Sequence, residues 1–208
     1  AHEGTTLAAA GLALAEQTAA TGQELLLAMV IGYEAAGRIG DTRRGGRAGV
    51  HASQVVAFGG ALAAAKLLKL TDEQMAHALG IAAVSMGGIA IGTDSWAREY
   101  MGAIAALCAI NAALAAGRGY TVNEDIIDGP GGFVDVFGGG KQAVASLTTD
   151  LGKDWDIVQF YAVKLWPGAH PFSGTVEAAV NAARKPMPPP VDVAKILIAR
   201  PNRTTDGG

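Results

Sequence analysis

The run SQVVAFGGALAAAKLLKL, residues 53–70, carries only four polar side chains, Ser53, Gln54, Lys66 and Lys69. A helix that is apolar on every side has to be surrounded by protein rather than water. Most of its side chains are no larger than alanine, so the helices around it must come close to its backbone. This segment therefore predicts the centre of a helical bundle. The rest of the chain fits that frame: 50% of the 208 residues are hydrophobic, 17% are charged and 6% are aromatic. Glycine supplies 29 residues, about double the ~7% share of an average protein.

Helix signals on either side are regular. Residues 5–20 read as a helix carrying Leu7, Leu12 and Leu14 among alanines. The stretch TGQELLLAMVIGYEAAGRIG opens with a Thr-x-x-Glu capping box, Thr21 to Glu24, and stops at Gly40. Gly32 and Gly37 weaken that helix unless other atoms pack directly against its backbone. Ser53 is the expected N-cap of the central helix. TDEQ at 71–74 is a second capping box, opening a helix to about Met86. SMGGIAIGTDS reads as a loop or broken helix end, and a long helix from about Trp96 to Ala116 follows, closed by Gly117. TVNE at 121–124 predicts a cap for a short helix, and a further helix is expected over about 141–151.

Beyond about residue 152 the pattern changes. WDIVQFYAVKLWP and VAKILIAR show partial two-residue alternation and read as strands, separated by the helix SGTVEAAVNAARK and the stiff linker PMPPP. The expected class is mainly α. An all-helical domain spans 1–152, and the beginning of a smaller α+β domain spans 153–208. Two strands do not make an independent sheet. The first residue is not methionine and the last lie just after an apparent strand, so the chain reads as a piece of something longer.

Several function classes are disfavoured by composition. A net charge of −3 offers no basic footprint for nucleic acid. The uncharged run 78–93 is short of the roughly 18 residues of a membrane span and rich in glycine. No basic segment followed by an apolar core opens the chain as a signal peptide would. No cluster of metal-ligand residues at fixed spacing is present, so no metal or other cofactor is expected. Cys108, the single cysteine, lies in an apolar helical pattern and reads as a buried, reduced thiol of a cytoplasmic protein.

The residue that invites chemistry is His51, one of four histidines. Arg43, Arg44 and Arg47 lead to it, and the central helix starts just after it. A helix N-terminus favours a bound carboxylate through its free N–H groups and its dipole. A histidine there is biased towards its neutral form and able to exchange protons near neutral pH. The plain alternative is a capping or surface histidine. Arg98 opens the long helix and shares a face with Gly102, Ala105 and Ala109; an arginine at a helix N-terminus needs an anionic partner. Lys164 ends an apolar stretch before Trp-Pro-Gly, and a lysine there can pair with a carboxylate or, if desolvated, assist proton transfer as a catalytic residue. His77 sits mid-helix as a packing or surface residue. GPGGFVDVFGGGK lacks the Gly-Lys-Ser/Thr ending and preceding strand of a phosphate loop, so its glycines serve turns and close packing.

Taken in order, LLLAMVIGYEAAGRIG, HASQVVAFGGALAAAKLLKLTDEQMAHALGIA, REYMGAIAALCAINAALAAGRG, DIIDGPGGFVDVFGGG and VKLWPGAHPFSGTVEAA resemble the MmgE/PrpD family. That resemblance implies a lyase or isomerase acting without a metal on a small polycarboxylate, as in 2-methylcitrate dehydratase, cis-aconitate decarboxylase and iminodisuccinate epimerase. It implies a pocket role for His51 in its His-x-Ser segment, with Ser53 beside the substrate, and for Lys164 in its Lys-x-aromatic-Pro segment. Arg98 and Tyr100 then bind substrate, with His170 as a weaker candidate. His2 matches a family position at the entry to the first helix. Relatives often have a lysine where this chain has Ala97 and a histidine where it has Tyr100, which weakens a direct transfer of their activities. The family's chain is longer at both ends and draws an aspartate and a histidine from a segment preceding Ala1. The expected reaction is dehydration through proton removal alpha to a carboxylate, with decarboxylation, epimerisation or an inactive structural module as alternatives. The expected assembly is a cytoplasmic homodimer, with neither nucleic acid nor membrane as partner.

Overall fold

The computed structural model describes residues 3–43, 49–85, 87–139, 141–160, 162–168, 172–186 and 188–199. The chain forms two compact units, Ala1–Phe160 and Tyr161–Gly208. The first is built on α1 (Glu3–Thr18), α2 (Gly22–Asp41), α3 (Ser53–Leu67), α4 (Asp72–Ser85) and α5 (Ala97–Gly117). Short helices α6 (Phe133–Phe137), α7 (Lys141–Val144) and α8 (Asp156–Gln159) follow. The second unit contains α9 (Ser173–Ala183).

The central position of α3 is as its composition requires. Helices α1, α2, α4 and α5 all pack on it, and every residue from Ser53 to Ala61 is buried. Glycine sets the distances. A Cβ on Gly32 would lie 2.7 Å from the Gly59 carbonyl oxygen, and one on Gly60 would lie 2.7 Å from the Ala109 Cβ. Gly32 in α2 is thus explained by the α3 backbone, and Gly37 by the Asp156 side chain packed over it. Phe58 closes the third side of α3, edge-on to Phe133 with ring centroids 4.8 Å apart. Leu7 and Leu14 are buried, whereas Leu12 is exposed, because it lies off the face that α1 turns to α3.

Both capping boxes form. Thr21 Oγ1 accepts the Glu24 N–H at 3.2 Å while Glu24 Oε2 accepts the Thr21 N–H at 2.8 Å. Thr71 and Gln74 repeat the exchange at 3.2 and 3.0 Å. By length and composition α5 would suffice to cross a membrane. It serves here as a packed helix, burying Ala105, Ala109, Ala112, Ala113 and Ala116. The α4–α5 connection contains a 3-10 turn at Ala90–Asp94, and a second at Glu124–Ile126 has Asn123 as N-cap with no side-chain bond. The helix expected over 141–151 is shorter, passing from α7 into a 3-10 turn at Ala145–Leu147.

The two expected strands do not form among the described residues. Residues Asp156–Gln159 make a single helical turn, and the Asp156 N–H donates to Glu34 Oε2 at 2.8 Å on α2. That contact holds them in the first unit, whose extent to Phe160 takes in the change of pattern near 152. Residues 193–199 run without regular secondary structure and with no pairing partner among the described residues. Alternation supplies a strand's faces, but a strand also needs a neighbouring backbone to bond. The described part of the chain is accordingly mainly α.

Candidate functional site around His51

His51 lies between the end of α2 and the start of α3, and three connections hold it. The first is a bridge to the α4–α5 connection, where Val50 faces Ile89 in antiparallel sense. The His51 N–H donates to Gly88 O at 3.2 Å, and the Ala90 N–H donates to Gly49 O at 2.8 Å. Gly88 has φ +134°, and a Cβ there would lie 2.7 Å from Ser53 Oγ and 3.5 Å from both the His51 Cβ and the Met101 Sδ. Only glycine lets this loop pass so close over the histidine.

The second connection is Arg43, just past the C-terminus of α2. Its Nη2 donates to Val50 O at 3.0 Å and its Nη1 to His51 O at 3.4 Å, while its buried Nε has no partner. The third connection is with α3. The Ser53 N–H donates to His51 Nδ1 at 3.1 Å, and the Ser53 hydroxyl lies 3.1 Å from the same nitrogen and 3.5 Å from Gly87 O. The N-cap is Ala52, and Ser53 is the first helical residue. The expected cap is therefore displaced by one residue, and Ser53 turns towards the histidine.

This geometry corrects the expectation of free helix N–H groups. Ser53 N–H is taken by His51 Nδ1, Gln54 N–H by His51 O at 3.2 Å, and Val55 and Val56 N–H by Ala52 O at 3.0 and 3.4 Å. The end of α3 is satisfied by its own neighbourhood. Capping and chemistry are not alternatives at this ring, because the cap uses Nδ1 and leaves Nε2 without a protein partner among the described residues.

Electrostatically the site is cationic. Burial holds the His51 pKa below its ordinary 6.5, and the charges of Arg98 and then Arg43 lower it further. Arg98 enters from the first turn of α5, one helical turn before Met101, so the two residues share a face. Its Nε and Nη2 both lie 2.9 Å from Glu99 Oε1 at the surface. Glu99 thus supplies the anionic partner that an arginine in this position requires. Such an exposed pair is weak, worth about 0–1 kcal/mol, and a stronger anion can displace it.

The first unit therefore brings together His51, Ser53 and Arg98, and adds Arg43. Tyr100, in the first turn of α5, is exposed. Lys164 belongs to the second unit, in a stretch without regular structure, and is exposed. His170, His2, Arg44 and Arg47 lie outside the described residues. Sequence reasoning named Arg43 only as one of three upstream arginines. Its hold on the Val50 and His51 carbonyls depends on the path of a loop that no local pattern encodes, and the same is true of Gly88 and Met101.

Residue patterns with plainer readings behave accordingly. His77 Nδ1 accepts the Val122 N–H at 3.5 Å, pinning the 120–123 loop to α4. Cys108 donates to Ser85 O at 3.2 Å, and burial pushes its thiol pKa up. It is partly rather than fully buried. The glycines of GPGG make turns, with Gly132 N–H to Gly129 O at 2.9 Å and Gly131 N–H to Asp135 Oδ2 at 3.0 Å. Among the described residues, no three of His, Cys, Asp and Glu gather as metal ligands.

The family model of the MmgE/PrpD N-terminal domain matches residues 1–145, which contain every one of these site-forming elements. The chain belongs to the MmgE/PrpD family. A similar protein is a cis-aconitate decarboxylase-like protein of Aspergillus oryzae, 31% identical over 79% of this chain and 36% of its own. The chain thus spans little more than a third of that relative's length.

Proposed function

We propose that the protein is a lyase of the MmgE/PrpD type acting on a small di- or tricarboxylate, with dehydration as the first reaction to test. One observation carries this reading: the partly buried His51 ring, its Nε2 without a protein partner among the described residues, lies in the field of the Arg98 and Arg43 cations. Removing a proton alpha to a carboxylate puts negative charge on that carboxylate, and cations fixed beforehand stabilise it without reorganising. In dehydration the C–H pair becomes the new C=C bond, and the hydroxyl leaves as water after receiving a proton. Arg98 would exchange Glu99 for a substrate carboxylate, and Ser53 would hold His51 rather than touch substrate. Lys164 remains a proposed catalytic residue, and His170 a proposed substrate contact, from the family resemblance. Decarboxylation is the second reading, favoured by the name of the Aspergillus relative.

A panel of citrate, 2-methylcitrate, cis-aconitate and iminodisuccinate tests both readings. Ultraviolet absorbance follows the unsaturated acid, and released CO2 separates the two reactions. Turnover of one acid is expected to fall about 10²–10⁴-fold in His51→Ala if the histidine takes part in proton transfer or its equivalent. If none of the acids binds or turns over, the polycarboxylate reading is wrong.

A further inference from the structure

The function proposed above leaves open whether His51 takes a proton or offers one. We infer that the Ser53 backbone amide fixes His51 as its Nε2–H tautomer, so that this histidine enters the site as a hydrogen-bond donor and the base that attacks carbon is another group. The inference rests on that reading of the site for its functional half, and on geometry alone for its tautomeric half.

A backbone N–H cannot do anything but donate. Since the Ser53 N–H points at His51 Nδ1 at 3.1 Å, Nδ1 must present its lone pair, and a neutral imidazole with a bare Nδ1 carries its proton on Nε2. The Ser53 hydroxyl, 3.1 Å from Nδ1, lies where it adds a second donor to the same edge, or turns to Gly87 O at 3.5 Å. Both arrangements agree with the same tautomer. Among the described residues the acceptor within reach of Nδ1 is the Ser53 hydroxyl oxygen at 3.1 Å, and an Nδ1–H donated to it would set that hydrogen against the Ser53 N–H, which already points at the same nitrogen. The loop carbonyl at Gly88 receives the His51 main-chain N–H.

The consequence for chemistry follows from which atom is left. To act as a base at Nε2, the ring would have to move its proton to Nδ1 and break the bond with Ser53, placing two N–H groups against each other. A neutral Nε2–H instead donates to an oxygen of the substrate, and the bond strengthens as that oxygen gains negative charge. Two arginines beside the ring oppose its protonation, so a neutral donor rather than an imidazolium is the resting species. Ser53 is then a positioning residue, acting through the histidine. This differs from the substrate contact implied by the resemblance.

The test is nitrogen-15 NMR of the whole chain labelled at its four histidines, with the His51 signals identified by their loss in His51→Gln. At slightly alkaline pH we expect an unprotonated Nδ1 and a protonated Nε2. A protonated Nδ1, or an even mixture of the two forms, overturns the inference. Ser53→Ala keeps the amide and should keep the tautomer; a switch in that variant overturns the assignment to the amide. Citrate is the probe for the functional half. Glutamine retains a donor near the Nε2 position but has no basic nitrogen. His51→Gln should therefore hold citrate within about threefold of the parent chain, while His51→Ala weakens it about tenfold, the scale of one hydrogen bond to a charged group. Equal losses in the two variants overturn the donor role. If citrate and the other acids do not bind to the parent chain at all, the polycarboxylate reading fails and the NMR result still decides the tautomer.

Discussion

Adding a proton to His51 puts charge on a partly buried ring, beside Arg98 and Arg43, and ends the bond from the Ser53 amide to Nδ1. All of these resist protonation, so the folded chain binds that proton less readily than the unfolded chain does. Where the unfolded state binds more protons, stability rises with pH. The contribution of His51 is therefore complete above its ordinary 6.5 and is lost as pH falls from there through the lower folded value. Denaturant midpoints should fall on this acid limb for the parent chain and fall less for His51→Gln. A saturating polycarboxylate should have the opposite effect on the ring: NMR titration with citrate present should move the His51 pKa upward, since the ligand's charge offsets the arginines. Ala19 gives an unrelated prediction at the same scale. It ends α1 with φ +51°, a left-handed conformation that strains a residue with a Cβ, while the Ala20 N–H closes on Ala15 O. Ala19→Gly removes the strain and is expected to stabilise the chain by about 1 kcal/mol, read from chemical denaturation.

At the scale of elements, glycine has two meanings that only the packing separates. Gly59 faces α2 so closely that a Cβ would run into the Gly32 carbonyl oxygen and come within 2.9 Å of the Ala36 Cβ. Backbone atoms cannot rotate aside as a side chain does, so Gly59→Ala must push α2 and α3 apart. A loss of about 1–3 kcal/mol or more is expected. Gly102, inside α5, has nothing within 4 Å of where a Cβ would stand. Gly102→Ala should therefore gain about 1 kcal/mol from helix propensity alone. Opposite signs for the same substitution, measured as shifts in denaturant midpoint, would confirm that α3 is set by backbone contact. Equal signs would refute it. The long helices and the two capping boxes were legible because capping boxes and apolar periodicity are local, whereas the α3 cap fell on Ala52 rather than Ser53. Thr21–Glu24 and Thr71–Gln74 needed no tertiary information, and the demand that α3 be buried follows from its composition. The short turns after residue 120 were less legible, since a helix of one turn is held by what it docks against.

For the molecule as a whole, the extent of the first unit and the assembly of the site share a cause that is absent from local sequence. His51 could be picked out beside its helix, and Arg98 at the start of another. Their meeting, and the inclusion of Arg43, depend on the α4–α5 loop crossing over Ser53 at Gly88. The apparent strand after residue 152 failed for the same kind of reason. Its first residues are claimed by Glu34 and Arg38, an ion pair buried on α2. Arg38 also donates to Thr149 O at 2.7 Å, Asp154 O at 3.0 Å and Leu147 O at 3.4 Å, while Glu34 receives the Asp156 N–H. Replacing both members of an ordinary buried pair by apolar groups can be nearly neutral, whereas removing one partner costs about 3–5 kcal/mol. Here the pair also satisfies four backbone groups of the 147–156 segment, so the double replacement should not be neutral. Arg38→Met is expected to lose stability in the single-partner range. Glu34→Leu combined with Arg38→Met should remain clearly destabilised, and in both variants proteolysis should cut first between residues 147 and 160. A double variant as stable as the parent would mean that the segment is held by its apolar contacts, with the ion pair incidental to the boundary at Phe160.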